Sequence, residues 1–334
     1  MTRTIIKGLG SFLPDNVVTN SDLEKIMDTS DEWIQERTGI KERRWISNRS
    51  ETTSSMGCKA AKKAMEMAGL GPSDIDFVIF ATLSPDYYFP GSGVLVQRDL
   101  GLDNVGALDL RNQCSGFIYG LSVADQFIKT GMYKNILLIG SEFHSGALEK
   151  STNGRSVTVI FGDGAGAVVL SAAEEGEKGI ISTCMHSQGE HAEALMIKGP
   201  ATGVWVDELL EKENYGEPEW RPYMNGNFVF KHAVTRMPEA IQEVLDAAGK
   251  SSADIDLLIP HQANLRISAM VQKHFNMSDE KVFNNIQHLG NTTAGSIPIA
   301  MTQAFEEGKL KRGDLLCLTA FGSGFTWGAA LLEF

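Results

Sequence analysis

Asp74-Ile75-Asp76-Phe77-Val78-Ile79 returns 180 positions later (254 − 74 = 180) as Asp254-Ile255-Asp256-Leu257-Leu258-Ile259. Each copy follows an Ala-Gly pair, Ala68-Gly69 and Ala248-Gly249, that closes an amphipathic stretch (Met56–Ala68 and Pro238–Ala248) with helical spacing of its apolar residues. Two more landmarks keep nearly the same step. Asn135-Ile136-Leu137-Leu138 falls against Asp314-Leu315-Leu316-Cys317 (314 − 135 = 179), and Cys114-Ser115-Gly116 against Asn291-Thr292-Thr293 (291 − 114 = 177). The last pair, Gly166-Ala167-Val168-Val169-Leu170 and Gly328-Ala329-Ala330-Leu331-Leu332, steps by 162 (328 − 166), so the second copy has a shorter final connection. A period this long is a duplicated domain and not a solenoid. Helices alternating with short apolar strands predict an α/β fold of two layered halves, residues 1–175 and 176–334, packed about a pseudo-dyad.

Function is sought where one copy has gained chemistry over the other. Asp109–Gly120, DLRNQCSGFIYG, runs from a β-compatible segment into helical spacing (Phe117, Ile118, Leu121, Ala124), which puts Cys114 at a strand-to-helix junction. Unpaired N–H groups and the positive end of a helix macrodipole bias a thiol there toward thiolate. Small neighbours, Ser115 and Gly116, leave room for a substrate. A buried structural cysteine is the competing reading. In the second copy Asn291 stands against Cys114, and His261 replaces Ala81 directly after an apolar strand. Strand carboxyl ends are where ligands bind in such sheets.

Composition narrows the class. The chain has 334 residues, 43% hydrophobic and 22% charged, with 30 basic and 42 acidic residues and a net charge of −12. That balance argues against a nucleic-acid partner, which needs a basic surface. The four cysteines (Cys58, Cys114, Cys184, Cys317) show no metal-ligand spacing and read as reduced cytosolic thiols. Lys7 interrupts the apolar run at the N-terminus, which predicts a first strand and not a signal peptide, and the absence of an 18-residue apolar stretch predicts no membrane span.

Five motifs resemble the β-ketoacyl-[acyl-carrier-protein] synthase III family, of the thiolase fold: QCSGF at 113–117, FGDGAGA at 161–167, PHQAN at 260–264, GNTTAGS at 290–296 and FGSGFTWGAAL at 321–331. The resemblance spans essentially the whole chain. It implies a transferase that condenses an acyl-CoA primer with a malonyl-[acyl carrier protein] in fatty-acid synthesis, in the cytoplasm, as a homodimer, with no cofactor beyond the coenzyme A thioester substrate and no metal. It maps the catalytic set onto Cys114, His261 and Asn291, and the oxyanion hole onto the N–H groups of Cys114 and Ser323. Coenzyme A contacts map onto Trp33, Arg37, Arg155 and Asn264, carrier-protein docking onto Lys231, Arg266 and Lys273, and a pocket residue lent by the neighbouring subunit onto Phe89. His274 stands where a second docking lysine is common, and Ser323 where a glycine often occurs.

Both glycine-rich runs, FGDGAGA and FGSGFTWG, lead into strand-like segments and not helices, which excludes a dinucleotide fingerprint. His144, His186, His191, His232 and His288 fall in no motif that needs imidazole, and no third ligand follows His186 and His191 at metal spacing. Competing readings keep the triad but change the substrate, to a condensing or acyl-transfer enzyme of secondary metabolism, or read the chain as a silent carrier-protein binder or a cysteine hydrolase. Lys198–Tyr223 is rich in breakers yet carries Val204, Trp205, Leu209 and Trp220, and is expected to cover the channel or to pack on its own domain.

Overall fold

The computed structural model describes residues 2–199, 201 and 222–334. Residues 200 and 202–221 of the stretch expected to act as a cover, with Trp205 and Trp220, lie outside the described residues.

Nine strands form two main sheets: β1 (Thr4–Phe12), β2 (Phe77–Ala81), β3 (Gly106–Leu110), β4 (Asn135–Glu142), β5 (Gly164–Ala172), β6 (Gly179–Ser187), β7 (Leu257–Pro260), β8 (Leu315–Gly322) and β9 (Thr326–Glu333). The first sheet runs β1-β5-β4-β2-β3 and the second β6-β9-β8-β7. In the first, β2 is parallel to β3 and β4, and β5 is antiparallel to β1 and β4. The second repeats this, with β7 parallel to β8, and β9 antiparallel to β8 and β6. Where a fifth strand would stand, a single parallel bridge joins Leu258 to Val282. Both glycine-rich motifs do lead into strands, β5 and β9.

Alternation along the strands explains the layers. On β4, Ile136 and Leu138 join the central core while Leu137 and Ile139 face an outer core with the helix Thr53–Ala68. On β8, Leu316 and Leu318 point to the same central core, and Cys317 to an outer one with the helices Gly226–Ala248 and Leu265–His274. The middle layer is two helices, Gly116–Lys129 and Ser296–Glu306, whose Phe117, Ile118, Leu121, Ile297 and Met301 pack between the sheets. Strands buried on both faces read as continuous apolar runs, hence the strength of the repeated signal. A Cβ on Gly140 would lie 2.2 Å from Ala294 O, so β4 touches the turn leading into Ser296–Glu306 backbone to backbone.

The structure corrects one step of the alignment. Gln113 and Thr293 share a left-handed φ (42° and 48°), each begins a 3₁₀ turn (Gln113–Ser115, Thr293–Gly295), and each turn feeds a middle helix, at a step of 293 − 113 = 180. Ala294, and not Asn291, is therefore the counterpart of Cys114, and Asn291 answers to Arg111 (291 − 180). The step of 177 matched chemically similar residues, but backbone conformation sets the true register.

Candidate active site

Cys114 is buried in the turn Gln113–Ser115, just before the helix Gly116–Lys129. Its partners come from the other half. A Cβ on Gly322, at the end of β8, would lie 2.5 Å from Cys114 Cβ and 3.1 Å from its sulfur, so only glycine allows this approach. The backbone N–H groups of Cys114 and Ser323 both reach the sulfur. Ser115 Oγ lies 2.5 Å from Thr326 Oγ1, which also donates to Ser323 O at 3.0 Å. The nucleophile turn and the Ser323 loop are thus tied together.

Burial, then the charge of Glu142, pushes the Cys114 thiol up to about 12 against those two N–H groups. The thiolate bias expected from a helix start is outweighed by desolvation in the resting chain. Burial likewise pushes Cys58 and Cys184 up to about 12, so acidity does not single out Cys114. Access does: of the four, Cys114 alone lines the large cavity described below.

His261 follows β7, its N–H bonded to Thr319 O at 2.8 Å. Ser296 Oγ lies 2.6 Å from Nδ1 and takes the Gln262 N–H at 3.4 Å. A serine proton given to Nδ1 is the arrangement that leaves the ring proton on Nε2. Nε2 is buried with no hydrogen-bond partner among the described residues. Burial lowers the imidazole to about 3, so the ring is a neutral donor at physiological pH. Asn291 is held by its backbone between Ile160 O (2.8 Å) and Gly162 N (3.1 Å). Its Oδ1 accepts the Thr293 N–H at 2.8 Å, which fixes the amide and frees Nδ2 to donate.

Cys114, His261 and Asn291 line one cavity of about 1130 Å³, together with Trp33, Arg37, Asn264 and Arg266. At its mouth the Arg37 and Arg155 guanidiniums sit 4.4 and 4.9 Å from the Trp33 ring centroid. Asn264 caps the helix Leu265–His274 and donates to Arg37 O at 2.9 Å, joining the two halves. Arg266 lies 5.4 Å over Phe230, with Lys231 exposed on the helix Gly226–Ala248 and Lys273 exposed on Leu265–His274, the helix that carries Arg266 itself. Phe89 is not brought to the cavity within one chain; it is 81% exposed beside exposed Tyr87 and Tyr88.

Two residues of the site were not singled out from sequence. Ser296 is the last letter of GNTTAGS, and its role shows only in its contact with His261. Glu142 ends β4, fully buried, accepting from Ser84 Oγ (2.6 Å), Thr82 Oγ1 (3.1 Å) and Leu83 N (3.2 Å), and burial raises it to about 7 despite them. Among the other histidines, His144 is buried against Thr293 Oγ1 at 2.7 Å, a core role.

Residues 108–189 match the family described as 3-oxoacyl-[acyl-carrier-protein (ACP)] synthase III, and residues 245–334 its C-terminal part. β-Ketoacyl-[acyl-carrier-protein] synthase III of Aquifex aeolicus is 47% identical over 331 residues, 99% of each chain. The chain belongs to this family. The Vibrio vulnificus relative, β-ketoacyl-[acyl-carrier-protein] synthase III 1, is 46% identical over 98% of this chain and 99% of its own. The crystal structure of the Aquifex aeolicus synthase III superposes with a TM-score of 0.89 at 46% identity, covering 100% of both chains. A thiolase-fold condensing enzyme, an acyltransferase, is therefore the class to which the site belongs.

Two outcomes follow from the contacts around the site. Ser296→Ala removes the hydroxyl that holds His261 Nδ1; malonyl decarboxylation should fall about 10-fold, short of the roughly 10²-fold cost of losing an oxyanion donor outright, with Cys114 acylation unchanged. Unchanged decarboxylation would show that Ser296 does not hold the ring. Glu142→Gln removes a negative charge facing the sulfur, so the pH midpoint for Cys114 alkylation should move to lower pH. An unmoved midpoint would show that Glu142 does not act on the thiol.

Proposed function

We propose that this chain catalyses the decarboxylating Claisen condensation of an acyl-CoA primer with malonyl-[acyl carrier protein], giving β-ketoacyl-[acyl carrier protein] and starting fatty-acid chains. The observation that carries this reading is that His261, whose Nε2 has no hydrogen-bond partner among the described residues, and Asn291, whose Oδ1 is taken by the Thr293 N–H, line the same cavity as the Cys114 thiol. Against a cysteine hydrolase stands the use of Asn291 Oδ1 by Thr293 N and of His261 Nδ1 by Ser296, where a hydrolase triad would join the amide to the imidazole.

In the first half-reaction the Cys114 sulfur attacks the acyl thioester carbonyl. The thiol proton leaves with the coenzyme A sulfur, and the tetrahedral oxyanion rests on the N–H groups of Cys114 and Ser323. In the second, the bond from the malonyl α-carbon to its carboxylate breaks and carbon dioxide departs. The enolate oxygen that forms takes hydrogen bonds from His261 Nε2–H and Asn291 Nδ2–H. The α-carbon then bonds to the acyl carbon as the bond from that carbon to sulfur breaks, and Cys114 leaves as thiolate, which takes a proton from solvent to restore the thiol. No electron carrier or Lewis acid enters this balance, so the reaction calls for no cofactor beyond the thioester.

Trp33 stacks the adenine, displacing one of its two guanidiniums, while Arg37 and Arg155 pair with phosphates and Asn264 meets the pantetheine. Lys231, Arg266 and Lys273 receive the acidic carrier protein on an otherwise acidic enzyme. Phe89 enters the acyl pocket of a second copy in a homodimer, which its exposure supports. The halves divide at residues 175/176, between β5 and β6. The family resemblance supports a cytoplasmic enzyme with no nucleic-acid partner; no helix among the described residues is long and apolar enough to cross a membrane.

Incubation with an acyl-CoA should give one adduct by intact mass, mapped by peptide analysis to Cys114. A stable adduct on Cys58, Cys184 or Cys317 in a Cys114→Ser variant would overturn this assignment.

A further inference from the structure

We propose that Cys184, His186 and Glu243 form a binding site for one zinc-class divalent cation, a staple between the edge strand β6 and the helix Gly226–Ala248. The site is separate from the cavity and independent of the condensation proposed above. Alternation along β6 turns residues 182, 184 and 186 toward that helix. Ser182 Oγ bonds Val244 O at 2.7 Å, Cys184 Sγ reaches Ala240 O at 3.5 Å, and His186 Nε2 lies 2.6 Å from Glu243 Oε2. One ligand atom from each of Cys184, His186 and Glu243 lies within 4.8 Å of the others. Zinc bonds of about 2.0–2.3 Å set tetrahedral donors roughly 3.3–3.8 Å apart, so Nε2 and Oε2 part slightly to admit the ion while the more distant donor atoms close on it.

The Glu243 carboxylate is the hub, touching both the imidazole and the thiol. A dication takes the place of protons there. The Cys184 S–H bond gives up its proton to solvent as the sulfur–metal bond forms. The imidazole binds neutral through Nε2, its proton on Nδ1. Thiolate and carboxylate then balance the two positive charges. Sulfur, nitrogen and oxygen donors together favour zinc over magnesium or calcium. Cys184 is buried, but the His186 and Glu243 side chains are 40% and 50% exposed, which leaves an entry path and a fourth position for water. The His186 ring is held by stacking on Trp327, centroids 5.5 Å apart. Sequence spacing hid this site because its third ligand lies 57 residues on (243 − 186), on a helix of the next layer.

The test titrates chelator-treated, full-length protein with zinc chloride by calorimetry, and with cobalt(II) by absorbance. Wild type and Cys114→Ser should each bind one equivalent and raise the Tm, with a thiolate-to-cobalt charge-transfer band. Cys184→Ser should lose the band. Glu243→Gln, at a half-exposed position that keeps the fold intact, should weaken zinc binding by at least about 10-fold and lose the Tm rise. Absence of zinc binding by the wild type, a band that persists in Cys184→Ser but vanishes in Cys114→Ser, or unchanged affinity in Glu243→Gln would each overturn the proposal.

Discussion

Desolvation at the seam between the two sheets acts in opposite directions on the thiol and the imidazole of the site: it raises Cys114 to about 12 and lowers His261 to about 3. Both groups rest uncharged. A thiolate–imidazolium pair would need close contact to repay two buried charges, and here Nδ1 is held by Ser296 while Nε2 faces the cavity. A neutral imidazole is of use as a hydrogen-bond donor to an oxygen that gains charge during reaction. The thiol proton must then leave in step with attack on the thioester, and Glu142 discourages an idle thiolate between turnovers.

The duplicated architecture explains how such a site is assembled. Each sheet ends its parallel strands at the same seam, and each half sends a 3₁₀ turn and a middle helix into it. The first copy keeps a sulfur at the turn, and the second keeps Ala294 there, small enough for the turns to approach. The second copy instead spends polar side chains at the strand end and before the turn, where His261 and Asn291 stand against Ala81 and Arg111. Glu142 and Gly322 form another such pair (322 − 142 = 180): the first half ends its strand on a buried carboxylate, the second on a glycine that admits the sulfur. Identical scaffolds with different tips make one asymmetric site.

Much of this was legible in the chain. The doubled Asp-Ile-Asp strands gave away the repeat because strands buried on both faces must be apolar throughout, and a thiol between Gln113 and Ser115 stands out at any helix start. Register near the site was less legible: Asn291 drew the alignment toward itself, while the left-handed Thr293 carries the real equivalence. Ionisation is the least legible feature, since the helix-start effect is local but the burial that overrides it depends on Gly322 and the far half of the chain. The roles of Ser296 and Glu142 depend on contacts across 35 and about 60 residues, which no spacing rule reports.

The most direct test of the account separates the half-reactions by measuring carbon dioxide release from malonyl-[acyl carrier protein] beside acylation of Cys114, in His261→Ala and Asn291→Ala. If both donors serve the enolate oxygen, decarboxylation falls on the order of 10²-fold or more in each, while Cys114 still acquires its acyl group. If His261→Ala instead abolishes acylation as completely as Cys114→Ala does, His261 is the base that activates the thiol, and the neutral-donor account is wrong.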